Sequence, residues 1–260
     1  MSWMHETSVT VLSSGSCGNA TLLTSGEESV LIDAGISCRE LGRRMSLFGI
    51  EPTQVEAVVL THEHTDHVRG ARRFCLDNSI PAHATRGTFA LTPLEGVTKS
   101  VFSHDNPFDL GVFSFEPFKV RHFAAEPVAF SVMIGSMKFG LASDLGSVTP
   151  GVVEALKGVS LLFVEANYDE KMLVTGTYPE FLKRTIKGDH GHLSNHDAGV
   201  LSSKIASERT RKIVLVHLSK ENNTPEKAKG TVEGVLKKAK TSRPVQVAEH
   251  GMTSGPYKLG

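Results

Sequence analysis

Within six residues the chain carries three histidines and an aspartate in the pattern H-x-H-x-D-H, in the order His62-Glu63-His64-Thr65-Asp66-His67. Imidazoles and carboxylates packed this closely need desolvated partners, or a cation to take up their lone pairs. His62 and His64 lie two residues apart, so in an extended loop both face one side, with Asp66 next in that register. His67 opens the following helix and points elsewhere, toward a second cation. Such nitrogen and oxygen donors suit Zn²⁺, with Mn²⁺ or Fe²⁺ nearly as well matched. Two cations about 3.5–4 Å apart hold a bridging hydroxide and clamp the attacking and leaving oxygens, lowering the pKa of water toward about 7. An H-x-H-x-D-H run arises by chance in roughly one chain of this size in a thousand. It is therefore read as a metal centre, not as a solvated histidine loop.

Positioning such a centre takes strands that end together. The apolar segment Ala57–Leu60 is a buried strand, Thr61–His67 the loop at its end, and a helix follows near Val68–Leu76. Before it, Val9–Leu12, Thr21–Thr24 and Val30–Ile32 are expected as strands and Arg39–Phe48 as a helix. After it come strands at Ser100–Phe102, Val112–Val120, Ala129–Ile134, Met137–Ala142 and Leu161–Ala166. The last third alternates: a helix at Asp197–Glu208 capped by Ser194 or Asn195, a strand at Ile213–His217, a helix at Pro225–Lys240 and a strand at Val245–Ala248. Strands in early runs and helices between later ones imply two sheets face to face with helices outside.

Composition sets bounds on partners. The 260 residues are 40% hydrophobic and show no linker, so a single domain over 1–260 is expected. Twenty-eight basic residues balance 28 acidic ones, which argues against a protein coating nucleic acid through charge alone. Three cysteines, Cys17, Cys38 and Cys75, form neither a disulfide framework nor a zinc ribbon. Without a signal peptide or a membrane-length apolar run, the chain reads as soluble and cytoplasmic, with no membrane partner.

The motif and its setting resemble the metallo-β-lactamase superfamily, and the resemblance runs over essentially the whole chain. It implies a four-layer αβ/βα sandwich of α/β class, with two divalent metal ions (Zn, Mn or Fe) at the edge between the sheets. It also implies further site residues. Asp33 in Leu31-Ile32-Asp33-Ala34-Gly35 would support the metal loop; His122, in Lys119-Val120-Arg121-His122, would join His62 and His64 on one metal. His217, in Val214-Leu215-Val216-His217, would join Asp66 and His67 on the other, with Asp144 bridging.

Substrate class rests on further segments. Gly191-His192-Leu193-Ser194-Asn195 and Glu165-Ala166-Asn167 look like the phosphodiesterase branch, in which such a histidine protonates the leaving oxygen and such a carboxylate orients it. With Ser13-Ser14-Gly15-Ser16-Cys17-Gly18-Asn19 and Asn222-Asn223, they are similar to the YycJ/WalJ-like exonuclease family, which acts on DNA 5′ to 3′. That resemblance makes Asp66, His192 and Glu165 the catalytic set, Asn19 a supporting residue, and Ser16 and Asn195 contacts to a nucleic-acid substrate, DNA favoured over RNA; Lys183 and Arg184, a basic cluster ahead of the His192 loop, are placed to steer phosphates toward the metals. Tyr168 and Phe123 stand where a histidine and an aspartate are expected. No β-CASP insertion is expected; pairing into a homodimer is compatible with the family, although no interface is legible.

The alternatives are a glyoxalase II-like thioester hydrolase, a small cyclic-phosphate diesterase and a regulatory protein with a vestigial site. The first presents its third histidine in Pro-Gly-His-Thr, whereas this chain has Val120-Arg121-His122-Phe123. A flavodiiron protein would need a glutamate in place of His64. The intact ligand set argues against a vestigial site.

Overall fold

The computed structural model describes residues 7–259. Its strands form two seven-stranded sheets. The first contains β1 (Thr7–Ser13), β2 (Ala20–Ser25), β3 (Glu28–Ile32), β4 (Val55–Val59), β5 (Ala82–Ala84) and β6 (Lys99–Val101), with β14 (Ser254–Lys258) beside β1. The second runs from β7 (Phe108–Leu110) through β8 (Phe113–Lys119), β9 (Val128–Ile134), β10 (Met137–Ala142), β11 (Leu161–Glu165) and β12 (Lys212–Val216) to β13 (Val245–Val247). The helices are α1 (Cys38–Ser46), α2 (Thr65–Val68), α3 (Ala71–Asn78), α4 (Arg86–Leu91) and α5 (Pro150–Ala155), then α6 (Glu170–Thr175), α7 (Glu180–Lys187), α8 (Asn195–Ile205) and α9 (Pro225–Lys238).

Three apolar clusters separate the four layers. Side chains alternate faces along a strand, so one strand can serve two cores. In β11, Leu161 and Phe163 point into the core between the sheets, while Leu162 and Val164 pack outward with Leu201, Val232 and Leu236 of α8 and α9. In β3, Val30 and Ile32 face inward and Leu31 faces outward toward Leu41, Met45 and Phe74 of α1 and α3. Strands covered on both faces read as unbroken apolar runs, which is why β4, β11 and β12 stand out in the sequence. This is the expected αβ/βα sandwich.

Pairing explains why the site lies at one edge. β3 and β4 are parallel with Ile32 opposite Val59, so the residues after both strands emerge side by side. β10, β11 and β12 are also parallel, with Ala142 opposite Val164 and Glu165 opposite Val216. Asp144, Glu165 and His217 therefore leave the second sheet at the same end.

The expected elements shift in detail. The helix expected near Val68–Leu76 is two pieces, α2 and α3, parted at Gly70. A Cβ there would meet the Ile36 carbonyl oxygen at 2.1 Å, and Gly70 N donates to Ala34 O at 2.7 Å. The helix expected over Arg39–Phe48 runs Cys38–Ser46, and the one expected at Asp197–Glu208 begins at Asn195, with Ser194 as its cap. β5, β7, β14 and α4 to α6 give no signal in the sequence. Each is three to six residues long, too short to show a period. Among the described residues no helix is long and apolar enough to cross a membrane.

Candidate metal centre

The first sheet contributes one contiguous piece. Thr61 and His62 follow β4; His64 then caps α2, whose first turn carries Asp66 and His67. Asp66 and His67 thus sit on a helical turn, not on an extended loop, because His67 N and Val68 N both bond to His64 O, at 2.8 and 3.1 Å. Gly35 makes room for that turn: a Cβ at this position would lie 1.6 Å from Asp66 O. The second sheet contributes dispersed residues: His122 after β8, Asp144 after β10, Glu165 ending β11, His192 between α7 and α8, and His217 after β12.

Hydrogen bonds orient each ring. His67 Nδ1 donates to Asp33 Oδ2 at 2.7 Å, which turns Nε2 toward Asp144 Oδ2, 3.1 Å away. His217 Nδ1 donates to Glu165 Oε1 at 2.8 Å, leaving Nε2 3.7 Å from Asp66 Oδ2. His122 Nδ1 donates to Gly191 O at 3.0 Å, and His64 Nε2 donates to Phe123 O at 2.9 Å. The inward nitrogens, His122 Nε2 and His64 Nδ1, then lie 3.3 Å apart. His62 Nδ1 meets Thr61 Oγ1 at 3.0 Å, and its buried Nε2 has no hydrogen-bond partner. Anchoring the outer nitrogen to fix the tautomer is what a metal-binding histidine requires.

The donor atoms gather accordingly. Those of His62, His64 and His122 lie within 4.8 Å of one another, as do those of Asp66, His67 and His217. Asp144 meets both sets, with His122 Nε2 3.6 Å from Oδ1 and His67 Nε2 3.1 Å from Oδ2. Burial by itself would lower the His67 and His217 pKa values, but Asp144 and neighbouring carboxylates hold both well above the ordinary histidine range. His62, buried and surrounded by other histidines, is pushed well below it. Buried carboxylates that draw positive charge, next to an unpartnered imidazole nitrogen, fit divalent cations.

Backbone strain collects here too. Asp33, Asp144 and His217 adopt positive φ values of 59°, 53° and 56°. For a non-glycine residue this costs on the order of 1–3 kcal/mol and recurs where geometry serves a site.

Two supporting residues escaped the sequence reading. Thr61 Oγ1 lies within 3.3 Å of both Asp33 oxygens, His62 Nδ1 and His67 Nδ1. Ser14 Oγ accepts from His217 N at 2.7 Å. Nothing about Thr61 but its place before the motif could have flagged it. Glu165 does more than expected of it: Oε1 accepts from His192 Nδ1 at 2.7 Å as well as from His217, while Oε2 accepts from Leu145 N and Leu193 N. Burial would raise the Glu165 carboxyl, yet the two histidines hold it down, at about 2. His192 is raised in turn by Glu165, against the effect of burial.

Asn19 Nδ2 lies 3.2 Å from Asp66 Oδ2 and 2.9 Å from His67 Nε2, alongside the cluster. Ser16 lines the cleft of about 350 Å³ that opens over the centre. Asn195 does not reach it; its amide is buried and bonded to Asn223. Lys183 and Arg184 face a separate cavity of about 330 Å³ on the other side of α7, where Lys183 Nζ bonds to Val174 O at 2.8 Å. Lys183 and Arg184 were expected to steer substrate from their place before the His192 loop, but helical geometry turns Leu182, Thr185 and Ile186 of α7 to the cleft.

Residues 28–218 match the β-lactamase superfamily domain. The chain belongs to the metallo-β-lactamase superfamily. Within the superfamily it is 33% identical to exodeoxyribonuclease YycJ of Bacillus anthracis over 231 residues, 87% of this chain and 88% of that one. To exodeoxyribonuclease WalJ of Streptococcus pneumoniae it is 32% identical, over 88% of each chain. In fold it is similar to YhfI of Bacillus subtilis, a metallo-β-lactamase fold protein, with a TM-score of 0.76 at 19% identity over 96% of this chain and 99% of that one. Like YycJ and WalJ, which are named as exodeoxyribonucleases, it is an enzyme, a metal-dependent hydrolase.

Proposed function

We propose that the chain is a phosphodiesterase that degrades DNA as an exonuclease, 5′ to 3′, using two divalent cations. The observation that carries this reading is the double use of Glu165, which bonds to His192 and His217 at 2.7 and 2.8 Å. One carboxylate thus ties an orienting bond on a metal-facing histidine to a second histidine on the wall of the cleft. The names of YycJ and WalJ support DNA as the substrate.

In this reading His62, His64 and His122 would hold one cation and Asp66, His67 and His217 the other, with Asp144 shared between them. Bound there, the cations supply Lewis acidity toward a phosphoryl oxygen and lower the pKa of water. The remaining steps belong to side chains. Glu165 accepts from His192 Nδ1 and strengthens the ring's hold on a proton, so that Nε2 is the donor to the leaving 3′ oxygen. Asp33 and Thr61 keep the His67 and His62 rings from turning.

The test is digestion of 5′- and 3′-labelled single- and double-stranded DNA and RNA by Mn²⁺-loaded protein, with Asp66→Ala and EDTA controls. DNA should shorten progressively from its 5′ end, and both controls should be inactive. Hydrolysis of a thioester panel without any cleavage of polynucleotide would overturn the reading in favour of a glyoxalase II-like enzyme.

A further inference from the structure

We propose that Phe123 is a stacking platform for the nucleobase next to the scissile phosphate, so that the site selects an unpaired strand end. The proposal rests on the phosphodiesterase reading above and adds to it which part of the substrate the cleft recognises.

The cleft has two kinds of lining. One is the polar cluster with His64, His122, Asp144, His192 and His217; the other is apolar, formed by Phe123, Tyr178, Leu182 and Ile186. Phe123 directly follows His122, and its side chain is 58% exposed. Among the large exposed hydrophobics of the described residues it shares aromatic character only with Phe181, on the same helix as Leu182. An exposed aromatic ring beside a polar cluster contributes nothing to any of the three cores.

The residue is also held in place. Its carbonyl accepts from His64 Nε2 at 2.9 Å, its N–H donates to His190 O at 3.0 Å, and its ring lies 5.5 Å from the His190 ring at a tilt of 41°. The backbone is therefore fixed on both sides while the residue lines the cleft and stays largely exposed. An anchored, exposed ring meets the requirement for stacking at small entropic cost.

Among the described residues no lysine or arginine lines this cleft to seat the rest of the strand, and Lys183 and Arg184 face a different cavity. Base-on-aromatic stacking contributes without charge and tolerates any sequence, because every base has a π-face. Inside a duplex both faces of a base are covered by its neighbours, so a frayed or single-stranded end is what the ring can take.

The experiment compares kcat/KM of Mn²⁺-loaded protein on thymidine 5′-(p-nitrophenyl phosphate) and on methyl p-nitrophenyl phosphate, which shares the leaving group but has no base. Phe123→Ala should lower the ratio of the two by about 5- to 150-fold, the range set by loss of one base–aromatic stack. Phe123→Trp should keep the ratio within a few-fold of the parent. On labelled oligonucleotides, Phe123→Ala should also lose preference for single over double strands. An equal fall on both esters, leaving the ratio unmoved, would overturn the proposal and reduce Phe123 to a support for His64 and His122. If the parent protein cleaves neither the nucleotide ester nor any oligonucleotide, the phosphodiesterase reading fails as well.

Discussion

The two halves of the metal cluster are built in opposite ways. The first sheet delivers His62, His64, Asp66 and His67 from one turn of chain, braced locally by Asp33 and Thr61. The second delivers His122, Asp144, Glu165, His192 and His217 from five separate places, three of them, Asp144, Glu165 and His217, brought together where parallel strands end in register. Both halves place residues with positive φ at strand ends, Asp33 in the first and Asp144 and His217 in the second. The contiguous half stores its geometry in local hydrogen bonds. The dispersed half stores it in sheet pairing, with Glu165 as the common anchor for two histidines. Damage to the first should unseat the cluster, whereas the second allows chemistry and binding to be separated.

His192 is the place to separate them. His192→Ala should lose about 10²–10⁴ in rate on an unactivated DNA diester, and less on a p-nitrophenyl ester whose leaving group needs no proton. Metal content by elemental analysis should stay at the parent value. Loss of metal in proportion to activity would make His192 another ligand and erase the distinction between the halves.

Asp33 tests the contiguous half. Its carboxylate accepts from Thr61 N at 2.9 Å and from His67 Nδ1 at 2.7 Å, all buried. Asp33→Ala leaves these donors without a partner and should cost about 3–5 kcal/mol in urea unfolding. Asp33→Asn tolerates the same left-handed backbone and should recover part of that loss. A substitution to Ala that leaves the unfolding midpoint unchanged would show that the motif does not depend on its brace.

Glu40, outside both halves, supplies the small end of the scale. Hydrogen bonds from Arg43, and next from Arg44, hold its carboxyl down at about 2. Arg44 also bonds to Leu12 O at 2.6 Å and Gly251 O at 2.8 Å, tying α1 to the first sheet. A depressed carboxyl contributes stability above its unfolded pKa, and that contribution fades as pH falls through about 2. Because the pair is largely solvated, Glu40→Gln should cost about 1 kcal/mol or less at neutral pH, with a smaller difference from the parent at pH 2–3. A large effect at pH 7 would mean that this surface network carries weight comparable to the braces of the metal loop.

The same contrast governs how much could be read from residue order. The contiguous motif was legible because its four donors are neighbours in sequence. The strands beside it were legible because burial on both faces leaves unbroken apolar runs, as in Ala57–Leu60 and Leu161–Val164. His122, Asp144 and His217 carry no local signal, and resemblance to a family was needed to single them out. Short elements such as β5 and α6 were invisible for want of a period. Lys183 and Arg184 were misplaced because nearness in sequence to His192 says nothing about which face of α7 meets the cleft.

By itself, then, the sequence determined the donor set of one half of the cluster, the apolar strands that carry it and the layered class of the fold. These depend on residue types a few positions apart, where the geometry of strand and turn is nearly fixed. Only the tertiary structure decided which strand ends adjoin, that Glu165 serves two histidines at once, and that Phe123 rather than the basic face of α7 borders the centre. Those relations join residues far apart in the chain, such as Glu165 with His217 and His67 with Asp144. They arise from burying two sheets against each other, a constraint that acts on the whole chain and leaves no mark at any one position.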